Sequence, residues 1–211
     1  MIITKLGHCC LVIQEQGSKI LTDPGDYTTT QVEVTSLAAV LITHEHADHL
    51  HVPSLTQVVR NNPGVRVITN RAVGEVLAKA GMAFEVVEHD QEVMVGAVKV
   101  EGYGEKHAHI YETVKDVVNT GYFINGKLFY PGDAFYNPGR AIDVLALPVD
   151  APWLVISEPL RYALELAPRI AFPVHDGGRK RPGVEVRLPG KVLPEHGVQF
   201  VVPELGVPFE V

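Results

Sequence analysis

Disulfides, membrane spans and a cationic surface are all missing from this sequence. Its 211 residues include two cysteines, and these are neighbours, Cys9 and Cys10. Adjacent thiols cannot pair without strain and no third cysteine offers a partner, so both are expected to be reduced. No apolar run approaches the roughly 20 residues of a membrane-spanning helix. The opening, MIITKLGHCCLVI, lacks the basic segment and small-residue cleavage site of a secretory leader, which reads as a cytoplasmic chain. A formal net charge of −7 leaves no surplus of lysine and arginine for phosphate contacts, so neither nucleic acid nor membrane is an expected partner. No linker, low-complexity tract or charge run divides the chain, which is long enough to bury a core as one domain over 1–211.

What the sequence has instead is histidine: ten residues, several clustered with aspartate. Uncharged imidazole and carboxylate are common ligands for catalytic zinc or iron.

The local patterns alternate short strands with a few helices. Strands are expected near 1–5, 10–14 and 19–22, with Gln16-Gly17-Ser18 turning between the last two, and then at 40–43. Helices are expected at 53–61 and 71–80, the first opened by Pro53 and the second closed by Gly81. A second strand set follows near 84–87, 92–95, 98–103, 117–124 and 127–130, with Asn125-Gly126 as a two-residue hairpin turn. Beyond it come strands at 144–147, 170–174 and 198–202 and an amphipathic helix at 153–167. GSKILTDPGD (17–26) and NGKLFYPGD (125–133) run alike: turn, short strand, Pro-Gly-Asp, then an apolar strand. Two halves of similar order suggest two sheets packed face to face with helices outside.

The chemistry concentrates in LITHEHADHL, residues 41–50, where four possible ligands fall within six positions after a buried strand. Imidazoles at i and i+2 on extended backbone point the same way, so His44 and His46 can converge on one ion. Asp48 and His49 follow where the chain turns toward the next helix and can face a second ion beside the first. A solvated polar loop is the alternative, but this many ionisable groups beside a buried strand need a metal or partners.

His-x-His-x-Asp-His after a short apolar strand resembles the metallo-β-lactamase superfamily, and the order of the other segments carries the resemblance over nearly the whole chain. It implies a four-layer αββα sandwich with two mixed β-sheets. It also implies a metal-dependent hydrolase with a dinuclear centre, holding two divalent transition metals, zinc foremost, with manganese or iron as alternatives. On it, His44, His46 and His107 hold one ion; Asp48, His49 and His175 hold the other; Asp133 bridges them; and Asp23 supports the site from behind. Standing alone, Asp23 and Asp133 could be turn aspartates and His175 could cap a strand. The branch resembled is that of ascorbate-6-phosphate lactonase, which makes His8, together with Asp48, a candidate catalytic residue; a buried hydrogen-bonded histidine is the other reading of His8. Cys9 and Cys10 read as small core residues, and Trp153 as the core anchor of its helix.

His107 and His109 sit two apart and would project alike, so geometry leaves the choice open. The resemblance favours His107, in the Gly-Glu-x-His-Ala context of 104–108, and leaves His109 as a rim contact to substrate. Arg179, Lys180 and Arg181 could meet an anionic substrate or be a solvated loop. The implied reaction uses a metal-bridging hydroxide on a lactone, ester or phosphodiester of a small, anionic metabolite; the oligomeric state stays open. Two rival readings remain: a mononuclear-iron persulfide dioxygenase-like oxidoreductase, and a non-catalytic metal-binding member of the fold.

Overall fold

A computed structural model describes residues 1–178 and 183–211 of the chain. The first sheet is built from β1 (Ile2–Gly7), β2 (Cys10–Glu15), β3 (Ser18–Thr22), β4 (Ala39–Leu41), β5 (Arg66–Thr69) and β6 (Glu85–Val86), joined at its other edge by β14 (Pro208–Glu210). The second holds β7 (Glu92–Val95), β8 (Val98–Tyr103), β9 (Gly121–Ile124), β10 (Leu128–Tyr130), β11 (Val144–Pro148), β12 (Ile170–Val174) and β13 (Gln199–Phe200), side by side in chain order. Both sheets are mixed: β1 to β3 and β7 to β10 pair antiparallel, while β3 to β6 and β10 to β13 pair parallel. Parallel neighbours need a crossover. α1 (Val52–Asn61) and α2 (Arg71–Lys79) supply it from β4 to β5 and β5 to β6, and α3 (Ser157–Leu166) and α4 (Val184–Glu195) from β11 to β12 and β12 to β13, while β3 reaches β4 and β10 reaches β11 through segments without an α-helix.

Alternation along the strands sends apolar side chains both ways. Leu11, Ile13, Ile20 and Leu41 meet Tyr122, Tyr130 and Phe172 between the sheets. The alternate neighbours Cys10, Val12 and Val40 face outward onto Leu55, Val58, Val73 and Leu77 of α1 and α2. Phe129, Leu145 and Leu147 face Tyr162, Ala163 and Leu193 of α3 and α4 on the far side. The layers are therefore helix, sheet, sheet, helix, the αββα sandwich that the resemblance implies.

Two elements go unmarked in the sequence reading and two expected ones are shortened. β5 does not stand out as a strand in sequence, because Arg66 opens it and only Val67, Ile68 and Thr69 follow before Asn70 caps α2 through Val73 N–H. α4 contains Pro189 and Pro194, residues that argue against a helix interior; the buried face of Val186, Pro189 and Leu193 holds it on the sheet nonetheless. The strand expected over 117–124 is confined to β9, since Thr120 N–H leaves the ladder to donate to Thr43 O. The helix expected from 153 starts at Ser157, after a loop carrying Trp153.

Candidate metal centre

Every candidate ligand follows the carboxyl end of a strand. His8 comes after β1, Asp23 after β3, His44 through His49 after β4, Asp133 after β10 and His175 directly after β12. His107 lies in the segment between β8 and β9, tied down by its N–H to Val117 O and by Ala108 N–H to Asp133 O. Strand ends whose sheets pack face to face project their next residues into one cleft, as in other open α/β sheets. Three of these residues hold positive φ: His8 (43°), Asp23 (35°) and His175 (59°). Non-glycine residues in that region are uncommon and tend to gather where function demands a particular backbone path.

The cleft collects two adjacent ligand sets. His44, His46 and His107 bring ring nitrogens within 4.8 Å of one another, and so do the ligand atoms of Asp48, His49 and His175, together with His8. Asp133 touches both sets: its Oδ1 is 3.1 Å from His49 Nε2, while Oδ2 is 2.9 Å from His175 Nε2 and 3.4 Å from His107 Nε2. The Cys9 thiol completes a third grouping with His49 and Asp133, so this cysteine, buried as expected, also floors the centre.

The far side of four of these rings is anchored, while His46 Nδ1 lies 3.1 Å from His44 Nε2. His49 Nδ1 lies 2.7 Å from Asp23 Oδ2, His44 Nδ1 lies 3.0 Å from Thr43 Oγ1, and the Nδ1 atoms of His107 and His175 contact the carbonyls of Ala108 and Asp150. Asp23, fully buried, also accepts from Thr43 N–H, Thr43 Oγ1 and Tyr130 OH at 2.8, 2.8 and 2.6 Å. With Nδ1 engaged, Nε2 of these four rings is left to face the cleft. His49 Nε2, His107 Nε2 and Asp133 Oδ1 are buried there, close to one another through Asp133 but with no partner in hydrogen-bond geometry, a state that proteins rarely tolerate without another partner. Imidazole rings fixed by carboxylates and carbonyls behind them are the usual supports of bound metal. The residues present fit a divalent ion of the zinc kind.

Electrostatics separate the two sets. Burial, followed by the neighbouring His49, lowers His44 well below its ordinary value, and burial followed by His107 lowers His46. Burial would lower His49 and His175 too, but the Asp133 carboxylate outweighs it, raising His49 and pushing His175 up to about 11. Burial opposes ionisation of Asp48 and Asp133, yet the surrounding imidazoles win: His175 and His8 for Asp48, His49 and His175 for Asp133. Both carboxyls are held well below the usual carboxylate range.

The beta-lactamase superfamily domain matches residues 2–175, from β1 to the last candidate ligand. This chain belongs to the metallo-β-lactamase superfamily. Among superfamily relatives, protein Rv0786c of Mycobacterium tuberculosis is 33% identical over 180 residues, covering 83% of this chain and 84% of that one. The UPF0173 metal-dependent hydrolase MJ1163 of Methanocaldococcus jannaschii is 24% identical over 227 residues, with 99% of each chain covered. Igni18, a metallo hydrolase of Ignicoccus hospitalis, shares the fold with a TM-score of 0.77 at 21% identity, over 100% of this chain and 98% of that chain.

In this superfamily member the centre opens into a cavity of about 590 Å³. Its walls beyond the ligands are Tyr27, Ile110, Pro152 and Trp153, with Asp26 and Asp150 at the rim. Trp153 is a correction to the sequence reading. It lies ahead of α3, and its Nε1–H donates to Asp133 Oδ2 at 3.2 Å while the ring packs edge-on against His107 at 5.8 Å. Its Pro-Trp context before a helix gave no signal of this, since indole is read by default as core. His109 is exposed and sits 3.2 Å from Asp116, while its neighbour Ile110 lines the cavity. Arg179, Lys180 and Arg181 lie outside the described residues; Gly178, just before them, lines the cavity.

Proposed function

We propose that the protein is a metal-dependent hydrolase with a dinuclear centre, acting on a lactone, ester or phosphodiester bond of a small molecule. The observation that carries this reading is the convergence of His49 Nε2, His107 Nε2 and Asp133 Oδ1, all buried and none in hydrogen-bond geometry, at the focus of rings anchored from behind. His44, His46 and His107 would hold one ion, Asp48, His49 and His175 the other, with Asp133 shared. Imidazole with carboxylate suits zinc, and the same set accepts manganese or iron. When bound, two divalent ions supply Lewis acidity toward the attacked oxygen and bring the pKa of water from 15.7 to roughly 7.

The chain's own residues do the rest. Asp23, Thr43 and the carbonyls of Ala108 and Asp150 fix the imidazole orientations, so little reorganisation is left for the reaction itself. Asp48 stays ionised at neutral pH. Among the described residues its contacts, to His8, His49 and His175, all run through Oδ2, which leaves Oδ1 to accept a hydrogen bond from the attacking water. Trp153 holds Asp133 and, with Tyr27, Ile110 and Pro152, lines the cavity that would receive the bond to be cleaved. No lysine or arginine lines the cavity among the described residues, so the preference for an anionic substrate rests on the run Arg179, Lys180 and Arg181 beside Gly178.

The test is a panel of lactones, esters and phosphodiesters assayed with native, chelated and zinc-reconstituted protein. Turnover lost on chelation and restored by metal is the expected result. One tightly held iron with persulfide-dependent oxygen consumption, or binding without turnover, would overturn the reading. Neutralising the 179–181 run should raise KM for anionic substrates and spare neutral esters; equal effects would remove the anionic preference alone.

A further inference from the structure

Lys5 is a cation in the wrong place for the fold. It lies on β1 two residues after Ile3, on the face that packs between the sheets, and only 2% of it is exposed. A charge buried there is costly unless it is paired and hydrogen-bonded. Its Nζ donates to Pro173 O at 2.8 Å and to both carboxylate oxygens of Asp176 at 2.7 and 2.6 Å. Both partners bracket the carboxyl end of β12, and Asp176 is the residue after His175.

The tie continues toward the centre. Asp176 is followed by Gly177, whose N–H donates to His8 Nδ1 at 3.0 Å, and His175 N–H donates to His8 O at 3.2 Å. A ring nitrogen that accepts from a backbone amide carries no proton, so the His8 proton resides on Nε2. That N–H lies 3.0 Å from Asp48 Oδ2. Residue 177 must be glycine for this contact, since a Cβ there would come within 2.8 Å of His8 Cβ. Both His8 nitrogens are therefore engaged by protein, which removes His8 from the ligand set although it stands beside it.

We propose that Lys5, Asp176, Gly177 and His8 form a relay of positioning residues. The buried ion pair fixes the loop after β12, the loop fixes the tautomer of His8, and His8 aims Asp48 at its ion. The inference rests on the reading of Asp48 as a metal ligand. The relay supports one ligand set and leaves the His44, His46 and His107 set untouched.

Cobalt(II) titration, followed by visible absorption and by competition with a chelator, resolves the two affinities, with circular-dichroism melts to verify folding. His8→Ala and Gly177→Ala should weaken one of the two ions by about 10–100-fold, the range for lost support behind a ligand, and leave the other unchanged. His8→Gln should recover most of the loss, because its amide can donate where Nε2–H did, and Asp176→Asn should weaken the same ion more mildly. These last two variants are close to the native residues in volume, Gln keeping a donor at the Nε2 position and Asn keeping one of the two acceptors for Lys5, so the decision does not hang on the folding of Gly177→Ala. Wild-type affinities in folded His8→Ala, or His8→Gln no better than His8→Ala, would overturn the relay alone. Two ions at wild-type affinity in Asp48→Ala would overturn the ligand reading beneath it.

Discussion

Residues 2–86 and 92–200 build their sheets in the same order, yet they deliver ligands in opposite ways. In each half a hairpin leads through a Pro-Gly-Asp turn into a parallel strand, a helix and another parallel strand: β2, β3, β4, α1 and β5 in one, β9, β10, β11, α3 and β12 in the other. The first half puts four of its ligands in a single loop after β4. The second brings His107, Asp133 and His175 singly from three separate places. The turns differ as well. Asp23 precedes its Pro-Gly and is sealed behind His49, whereas Asp133 follows its Pro-Gly and faces both ligand sets. Gly25 lets the first turn press onto the ligand loop, where a Cβ would sit 1.8 Å from Asp48 O. A compact motif in one half can thus be completed only by residues that the other half holds far apart in sequence.

The sharpest break of that comparison is Asp133→Ala. If the second half's carboxylate serves both sets, this one change should deplete both ions and lower turnover by about 10³-fold or more, on the order of 4 kcal/mol of transition-state stabilisation. Metal analysis finding one ion fully retained would confine Asp133 to a single set. Next in size, Asp48→Ala should remove one ion and His107→Ala the other, each with most of the activity; identical metal content in the two variants would erase the distinction between the sets.

Proton release sharpens the comparison without mutation. At pH 7 the metal-free protein holds the extra proton on His49 and His175, both raised, and not on His44 and His46, both lowered. Calorimetry in buffers of different ionisation enthalpy should therefore show about two protons leaving as the Asp48, His49 and His175 set fills. None should leave from His44 or His46. Because the Asp133 carboxylate raises His175, the release should persist at pH 8 and not fall off as it would for an ordinary imidazole. Metal uptake with no buffer dependence at pH 7 would contradict the assignment.

Smaller still, Tyr130→Phe removes a buried hydroxyl that bonds Asp23 Oδ2 and Cys9 O. A loss of about 1–3 kcal/mol in urea unfolding is expected, since the acceptors stay buried. A neutral substitution would mean that Asp23 is held by its other partners. His109→Ala, at the exposed end of the scale, should keep full metal content with at most a moderate kinetic change; loss of an ion would reverse the roles of His107 and His109.

How much was legible follows from the same contrast. The ligand loop reads directly because three histidines and an aspartate share one short stretch after an apolar strand, and the central strands read as short apolar runs because both faces of each sheet are covered. Asp133 and His175 gain meaning only from their order along the chain, since a turn aspartate and a strand-end histidine are commonplace alone. Trp153 and Lys5 were out of reach for a different reason: an indole defaults to core and a lysine to surface, and only the tertiary contacts to Asp133 and Asp176 reverse those defaults. α4 escaped because its prolines speak against a helix that tertiary packing nonetheless holds.

Anomalous diffraction from crystals grown with zinc, collected on both sides of the zinc edge, tests the central claim most directly. Two peaks per chain are expected, one among His44, His46 and His107, the other among Asp48, His49 and His175, with Asp133 between them and His8 bound to neither. A single peak, or one ligated by His8, would contradict it.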